Sequence, residues 1–297
     1  MSETTGRSVI GFIGGSGVYN MDGLTHTSWE KVSSPFGEPS DDLLFGELDG
    51  QKLVFLPRHG RGHRISPSEI NYRANIDVLK RAGVTDVVSV SAVGSLKGEL
   101  KPGTFVLPDQ FIDRTFAREK SFYGSGFVAH VSMAHPVCSR LGDHVEAVAR
   151  EAGIHAVRGG THLVMEGPQF STKAESMLYR SWGCDVIGMT SMPEAKLARE
   201  AELCYAIVAM VTDYDCWHPE HDHVTVDAVI QVLLANAGNA RSLLRAVAPR
   251  LAADPAGAAC SCRRALDNAV LTAPDHIDPA SLERLHAVAG RILKPRS

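Results

Sequence analysis

Two aspartates stand directly after a long apolar run in the second half of the 297-residue chain. The run, residues 205–211, has no polar alternation, which is typical of a strand covered on both faces. Residues two apart in a strand project from the same face at roughly 6 to 7 Å. Asp213 and Asp215 could therefore present two hydrogen-bond acceptors to one edge of a planar polar ligand. An Asp-x-Asp sequence is also a common cap of a turn, and the pair alone does not decide between these interpretations.

Groups that bind anions recur at the predicted ends of four other apolar runs. In chain order they are Ser16 in a glycine-rich turn, Arg58 and His59 in a basic segment, Ser91, and Thr190. An arginine fork and imidazole groups can close on a phosphate or a carboxylate, but each segment by itself could be an ordinary turn or a solvated loop. In α/β proteins, ligands bind beyond the carboxyl ends of the strands. The repetition therefore predicts one anion-binding pocket at that edge of a sheet.

The elements that must position these groups alternate between strand-like and helix-like patterns. Residues 43–56 are predicted to form a hairpin with an Asp-Gly turn, and residues 70–82 and 173–182 show helical spacing or capping. Thr225 is expected to cap a long helix with an apolar face. Because the alternation continues without a linker-like segment, we predict a single α/β domain over residues 1–297.

Composition narrows the class of protein. With 44% hydrophobic and 22% charged residues the chain is typical of globular proteins, and its formal net charge of -4 gives no broad basic surface for nucleic acid. It contains no run of eighteen apolar residues and no apolar leader followed by a cleavage pattern. We therefore expect no nucleic-acid partner, no membrane span and a cytoplasmic location.

The six cysteines are scattered along the chain, which favours free buried thiols over a disulfide framework. Cys260 and Cys262 are the exception, since a disulfide across a Cys-x-Cys pair would be strained and easily reduced. A redox role for this pair and a poorly packed pair of thiols both remain open. A metal site would need two further ligands, and no CxxC or HxxxH spacing supplies them, so no metal is expected.

Six motifs occur in order over most of the chain: GGSG, PRHGRGH, SVSAVGSL, MEGPQFST, IGMTSMPE and MVTDYDCW. Together they resemble the trimeric class of nucleoside phosphorylases, and within it most closely the 5′-methylthioadenosine phosphorylases. The resemblance implies the single-domain fold of that class, with a mixed central β-sheet flanked by helices, usually assembled as a homotrimer. It implies a pentosyl transfer of purine and methionine salvage, in which phosphate cleaves 5′-methylthioadenosine to adenine and 5-methylthioribose 1-phosphate. Phosphate is then a co-substrate, and no metal or organic cofactor is required.

The same resemblance assigns roles to individual residues. The phosphate site would consist of Ser16, Arg58, His59, Ser91, Ala92 and Thr190. The nucleoside would be bound by His63, Phe170, Ser171, Met189, Asp213, Asp215, Val226, Val229 and Ile230, with His130 supplied by an adjacent subunit. Asp213 and Asp215 would be the catalytic pair, in which Asp213 donates a proton toward N7 of the leaving purine and Asp215 accepts from its exocyclic amine.

Two positions favour a 6-aminopurine. The related 6-oxopurine phosphorylases carry a glutamate where this chain has Ser171 and an asparagine where it has Asp213. A 6-amino group donates a hydrogen bond to a carboxylate, whereas a 6-oxo group is repelled by an ionised one. A phosphorylase of 6-oxopurine nucleosides or methylthioinosine is the alternative, and a non-catalytic purine or phosphate sensor on the same fold is a second one.

Overall fold

An eleven-stranded β-sheet forms the centre of the structure, a computed structural model that describes residues 8–19, 21–219, 225–254 and 256–293. The strands are β1 (Ile10–Gly14), β2 (Thr25–Glu30), β3 (Leu43–Leu48), β4 (Gln51–Pro57), β5 (Asp86–Ser95), β6 (Phe105–Leu107), β7 (Gln110–Arg114), β8 (Ala156–Arg158), β9 (Thr161–Met165), β10 (Val186–Gly188) and β11 (Cys204–Asp213).

Helices in the same described ranges surround this sheet. They are α1 (Ser16–Tyr19), α2 (Tyr72–Arg81), α3 (Ser139–Glu151), α4 (Lys173–Ser181), α5 (Ser191–Glu200), α6 (Val226–Ala253), α7 (Ala256–Ala259), α8 (Pro279–Arg284) and α9 (His286–Leu293), with 3₁₀ turns at Ser261–Arg264 and Pro274–His276. Within the part of the chain that is described, no helix is long and apolar enough to cross a membrane.

Parallel and antiparallel pairs both occur in the sheet. Its strand order is β2-β3-β4-β1-β5-β10-β9-β7, and β11, β6 and β8 continue from the other edge of β5. β1, β4, β5 and β11 run parallel, whereas β3 and β10 run antiparallel to their neighbours β4 and β5. One large apolar core contains side chains of α3 and α6, a second contains side chains of α2, α5 and α9, and two smaller apolar clusters accompany them. The predicted α/β fold with a mixed central sheet flanked by helices is confirmed.

β5 organises the sheet because three strands pair with it. β11 follows it from residue 86 to residue 94 and occupies one edge. The other edge is shared, since β1 pairs with residues 86–89 and β10 pairs with residues 94–95. Residues 90–93 lie between these two partners, where the described chain places no strand on that edge. The sheet therefore opens beside the middle of β5.

The local sequence patterns predicted the hairpin and one helix start correctly. β3 and β4 pair antiparallel around the Asp-Gly turn, in which Asp49 and Gly50 have φ angles of 50° and 76°. Two positive φ angles are what a tight hairpin turn requires. The helix α4 begins after Thr172, whose side chain accepts from the backbone of Glu175 while the Glu175 side chain accepts from the backbone of Thr172.

Two expectations about strand ends were wrong. Ser91 lies inside β5, which continues to Ser95 because β11 pairs with it over nearly all its length. Asp215 lies outside β11, which ends at Asp213, and its φ of 50° is left-handed. The two aspartates therefore do not project from one face of a strand. A turn brings them together instead.

Candidate active site

A cavity of about 330 Å³ lies where the sheet opens beside β5. Its wall comes from the ends of β1, β4, β10 and β11, the middle of β5, and one face of α6. The predicted residues that line it are Arg58, His59, His63, Ser91, Ala92, Phe170, Met189, Thr190, Asp213, Asp215 and Val229. Most of the predicted site is thus gathered around a volume suited to a small molecule.

Arg58 is buried and is held by an acidic partner that the sequence analysis did not identify. Its Nε donates to one oxygen of Glu194 at 2.9 Å, and its Nη2 donates to the other oxygen at 3.3 Å. Nη2 also donates to Ser89 Oγ, and Nη1 donates to the carbonyl of Val90 at 3.0 Å. A guanidinium has five N–H groups, so one Nη1 donor remains for a ligand. The sequence predicted that the Arg58 guanidinium would bind a ligand anion through two parallel hydrogen bonds. In the structure it makes such a pair of bonds to the carboxylate of Glu194.

Glu194 fixes this arrangement from the first turn of α5. It is 2% exposed and also accepts hydrogen bonds from the Tyr205 hydroxyl at 2.8 Å and the Ser89 hydroxyl at 2.7 Å. Although burial opposes it, the charge of Glu194 raises the pKa of Arg58. Arg58 therefore stays charged, and its guanidinium is held in a fixed orientation at the cavity wall.

His59 is neutral at physiological pH. Burial, followed by the nearby charge of Arg58, lowers the pKa of His59 to about 4. Its Nδ1 lies 2.9 Å from the carbonyl of Ile65, which can only accept, so Nδ1 carries the proton. Nε2 is left as an acceptor, which suits the hydroxyl of a monohydrogen phosphate. The ring of His63 stacks on that of His59 with centroids 4.3 Å apart.

Ser91 and Thr190 place two hydroxyl oxygens 3.1 Å apart on the cavity wall. Both residues are buried, at 7% and 5% exposure. Thr190 is the N-cap residue of α5, yet its side chain makes no cap hydrogen bond, so the helix does not use this hydroxyl. Next to them, Ala92 lies on the unpaired edge of β5. Together with Arg58, these groups can surround an anion with donors.

Asp213 caps the turn and also faces the cavity. Its Oδ1 accepts the backbone N–H of Asp215 at 2.8 Å, and its Oδ2 lies 2.7 Å from the Thr212 hydroxyl. That hydroxyl is also 3.2 Å from the carbonyl of Val93. Since a hydroxyl has one proton, a protonated Asp213 can donate to Thr212 while Thr212 donates to Val93. Burial raises the pKa of Asp213, and the site accommodates its neutral form.

One oxygen of the Asp215 carboxyl group is buried and makes no direct hydrogen bond among the described residues, although the Ser171 and Ser176 hydroxyls lie nearby. The residue is 4% exposed, and its Oδ2 has no hydrogen-bond partner among the described residues. Burial raises the pKa of Asp215, Ser176 opposes this effect, and the charge of Asp213 adds to it. An unsatisfied buried acceptor is costly. A ligand N–H group at this point would satisfy it.

One face of α6 closes the cavity with apolar side chains. Val229, Leu233 and Ala237 line it and are spaced four residues apart, which places them on the same side of a helix. Val226 and Ile230 do not share this face: they are 61% and 45% exposed and lie outside the cavity lining. Of the three α6 residues assigned to the nucleoside, the structure places Val229 at the cavity.

Two further predicted residues, Ser171 and His130, lie outside the lining formed by the described residues. Ser171 is adjacent to it, since its hydroxyl is 3.6 Å from Met165 Sδ and near enough to Asp215 to lower the pKa of that carboxyl slightly. His130 is exposed on the surface. Ser16 begins α1, and its side chain is outside the described part of the structure.

Comparison with known proteins identifies the family. Residues 9–249 match the family model of the phosphorylase superfamily. The chain belongs to the phosphorylase superfamily. It is 63% identical over 293 residues to the S-methyl-5′-thioadenosine phosphorylase of Rhodospirillum rubrum, an alignment that covers 99% of this chain and 100% of the relative. It is 60% identical over 288 residues to that of Cereibacter sphaeroides, covering 97% of this chain and 99% of the relative.

Solved structures agree with this family assignment. A methylthioadenosine phosphorylase from an antarctic soil metagenomic library superposes with a TM-score of 0.90 at 47% identity, covering 95% of this chain and 99% of that one. The methylthioadenosine phosphorylase of Schistosoma mansoni in complex with adenine gives a TM-score of 0.81 at 36% identity, covering 88% and 97% of the two chains. The resemblance to methylthioadenosine phosphorylases that the motifs indicated is confirmed.

Several residues that line the cavity of this phosphorylase or support its wall were not predicted from the sequence. Glu194 stands inside the motif IGMTSMPE, but its position in the first turn of a helix gave no sign that it holds Arg58. Leu233 and Ala237 could have been found by continuing the four-residue spacing from Val229 along α6. Thr212 stands between the apolar run and Asp213, and no role was predicted for its hydroxyl.

Proposed function

We propose that this phosphorylase cleaves 5′-methylthioadenosine with inorganic phosphate and releases adenine and 5-methylthioribose 1-phosphate. The observation that carries the proposal is the unpartnered Oδ2 of Asp215, an acceptor buried beside the raised-pKa carboxyl of Asp213 in a cavity that also holds anion donors. The exocyclic amine of a 6-aminopurine supplies the N–H that this oxygen lacks, whereas the 6-oxo group of a 6-oxopurine is itself an acceptor. The names of the relatives support the same substrate.

Hydrogen-bond donors beside the unpaired edge of β5, at residues 90–93, bind the phosphate. The remaining Nη1 proton of Arg58 and the hydroxyls of Ser91 and Thr190 donate to phosphate oxygens. Neutral His59 accepts the single P–OH proton of monohydrogen phosphate at Nε2. The anion is thereby held in one orientation beside the sugar, which lowers the entropic cost of its attack.

In the reaction, the bond between the anomeric carbon C1′ and N9 of the purine is replaced by a bond between C1′ and a phosphate oxygen. A phosphate oxygen forms a bond to C1′ while the C1′–N9 bond breaks, and the electron pair of that bond passes into the purine. The carboxyl proton of Asp213 passes to N7 instead of the Thr212 hydroxyl, so the base leaves as neutral adenine, and the ionised Asp213 then accepts a hydrogen bond from that hydroxyl. Phe170, whose ring is 43% exposed at the cavity wall, is positioned to stack on the purine.

The apolar face of α6 favours a methylthio group over a hydroxyl at C5′. Val229, Leu233 and Ala237 offer no hydrogen-bond partner for a 5′ hydroxyl, whereas a methylthio group loses little on leaving water. We place this substituent against them. His63 also lines the cavity, and its ring stacks on that of His59.

The homotrimer remains part of the proposal. His130 is exposed and outside the cavity of its own chain, which is compatible with its serving the site of an adjacent subunit. The cytoplasmic location also remains a prediction.

Selectivity for the base is the property that tests this proposal. With saturating phosphate, kcat/KM is measured for methylthioadenosine, methylthioinosine, adenosine and inosine. Methylthioinosine is the matched control, because it differs from methylthioadenosine only in the purine and its 6-substituent. We expect methylthioadenosine to exceed methylthioinosine by about 10² or more, since the oxo compound leaves Asp215 unpaired. Faster release of hypoxanthine than adenine would instead support a 6-oxopurine phosphorylase.

A further inference from the structure

Four cysteines that are far apart in sequence meet at one point of the fold. The Sγ atoms of Cys138, Cys204, Cys260 and Cys262 all lie within 4.8 Å of one another, and those of Cys138 and Cys260 are 3.7 Å apart. Three of the residues are buried, and Cys260 is partly buried. From the sequence, only Cys260 and Cys262 were expected to lie together, and no CxxC or HxxxH spacing indicated further metal ligands. The fold supplies two from segments more than fifty residues away.

Backbone structure holds these sulfurs in place. Cys138 is the N-cap residue of α3, and its N–H donates to the carbonyl of Tyr205 at 2.8 Å, which fixes it beside Cys204 at the start of β11. Cys260 precedes the 3₁₀ turn that contains Cys262, so the Cys-x-Cys segment is bent and both sulfurs join the same cluster. Three separate elements therefore meet through their cysteines.

One arginine side chain donates a hydrogen bond to the sulfur cluster. Arg199 Nη1 donates to Cys262 Sγ at 3.5 Å, and its other terminal nitrogen donates to the carbonyl of His135. Within the described chain Arg199 pairs with no carboxylate, so its charge faces the sulfur cluster without an acidic partner. Arg140 also lies near Cys204, but its guanidinium is paired with Asp86 and Asp254. Four thiolates around a divalent ion carry a net charge of about two negative units, which Arg199 offsets in part.

We propose that these four cysteines bind one zinc ion in a tetrahedral site. Zinc–sulfur bonds of about 2.3 Å require sulfur–sulfur separations of about 3.8 Å in a tetrahedron, close to the distance between Cys138 and Cys260 and reachable by small side-chain shifts for the others. A disulfide bond joins sulfurs at about 2.05 Å, whereas all four cysteines are free and the sulfurs of Cys138 and Cys260 are 3.7 Å apart. Four thiolates without a carboxylate or water position are typical of closed structural zinc sites.

The zinc ion stabilises the fold and takes no part in the reaction. The cluster lies at the amino end of β11, and Asp213 lies at its carboxyl end, so roughly 30 Å of extended strand separates them. The ion ties the segment after α6 to the sheet and to α3. Its removal should lower the melting temperature and leave kcat/KM of the remaining folded enzyme unchanged.

Metal analysis of the full-length protein tests the zinc site. After purification without chelators, elemental analysis should give about one zinc per chain. Cys262→Ser should reduce this at least about tenfold, while the matched variant Cys184→Ser, which changes a buried free cysteine outside the cluster, should keep it. Exchange of Co²⁺ for zinc in the wild-type protein should give the visible absorption of tetrahedral cobalt–thiolate, a readout that does not depend on a variant folding.

Several results would overturn the proposal. These are wild-type protein that neither carries zinc nor takes it up, a disulfide between any two of the four cysteines in freshly purified protein, and zinc that is retained in full by Cys262→Ser. Stoichiometric iron in place of zinc would overturn the identity of the ion.

Discussion

Replacing Asp213 by asparagine is expected to lower kcat for methylthioadenosine by about 10² to 10⁴ and to leave KM nearly unchanged. Asparagine keeps the shape of the side chain and retains an oxygen to accept the N–H of Asp215, so the turn is preserved. It has no proton to transfer to N7. Because the transfer matters only as the C1′–N9 bond breaks, the loss should fall on turnover. Steady-state kinetics at saturating phosphate measure it.

The matched control for this variant is Asp143→Asn. Asp143 lies on α3 outside the cavity, and its side chain is 72% exposed, so both kcat and KM should remain those of the wild type. A kcat for Asp213→Asn within about tenfold of the wild type would show that Asp213 does not supply the proton. Unchanged melting temperatures of both variants would exclude unfolding as the cause of a loss.

Replacing Glu194 by alanine is expected to lower the free energy of unfolding by about 3 to 5 kcal/mol. The substitution leaves the guanidinium of Arg58 buried at 2% exposure without its counter-charge, and the hydroxyl of Tyr205 loses its acceptor. Removing one partner of a buried ion pair lowers the free energy of unfolding far more than replacing both partners by apolar residues. This is because the remaining charge stays buried and cannot return to water. Chemical denaturation at one fixed protein concentration measures the change.

Glu38→Ala is the matched control for Glu194→Ala. Glu38 pairs with Lys31 at 3.0 Å, but both side chains are mostly exposed, at 77% and 63%, so its loss should change stability little. If Glu194→Ala and Glu38→Ala had equal effects, the ion pair of Arg58 and Glu194 would not be the anchor of the phosphate side of the cavity.

Features set by neighbours in sequence could be predicted. The turn at Asp49-Gly50 and the capping box of Thr172 depend on backbone conformations that a few adjacent residues decide. The position of Arg58 near the ends of β1 and β5 was also foreseeable, because the carboxyl ends of parallel strands meet at one edge of a sheet. The same argument does not place Thr190, because β10 runs antiparallel to β5. Such inferences need no knowledge of which distant residues touch.

Features set by distant partners could not be predicted. Glu194 meets Arg58 across 136 residues of sequence, and nothing local distinguishes it from a glutamate on an exposed first turn. Asp215 was expected on the same strand as Asp213. It lies instead in the turn after β11, where a left-handed φ of 50° accompanies its position at the cavity. The four cysteines likewise converge only because α3, β11 and the segment after α6 pack together.

The most direct test of the account is the phosphate dependence of adenine release from methylthioadenosine. Purified enzyme, freed of phosphate by dialysis, is assayed with and without added phosphate, and both adenine and the sugar product are quantified. We expect adenine to appear only with phosphate and to be matched mole for mole by 5-methylthioribose 1-phosphate. Adenine released at the same rate without phosphate, together with free methylthioribose, would contradict the account, as would phosphate binding without any release of base.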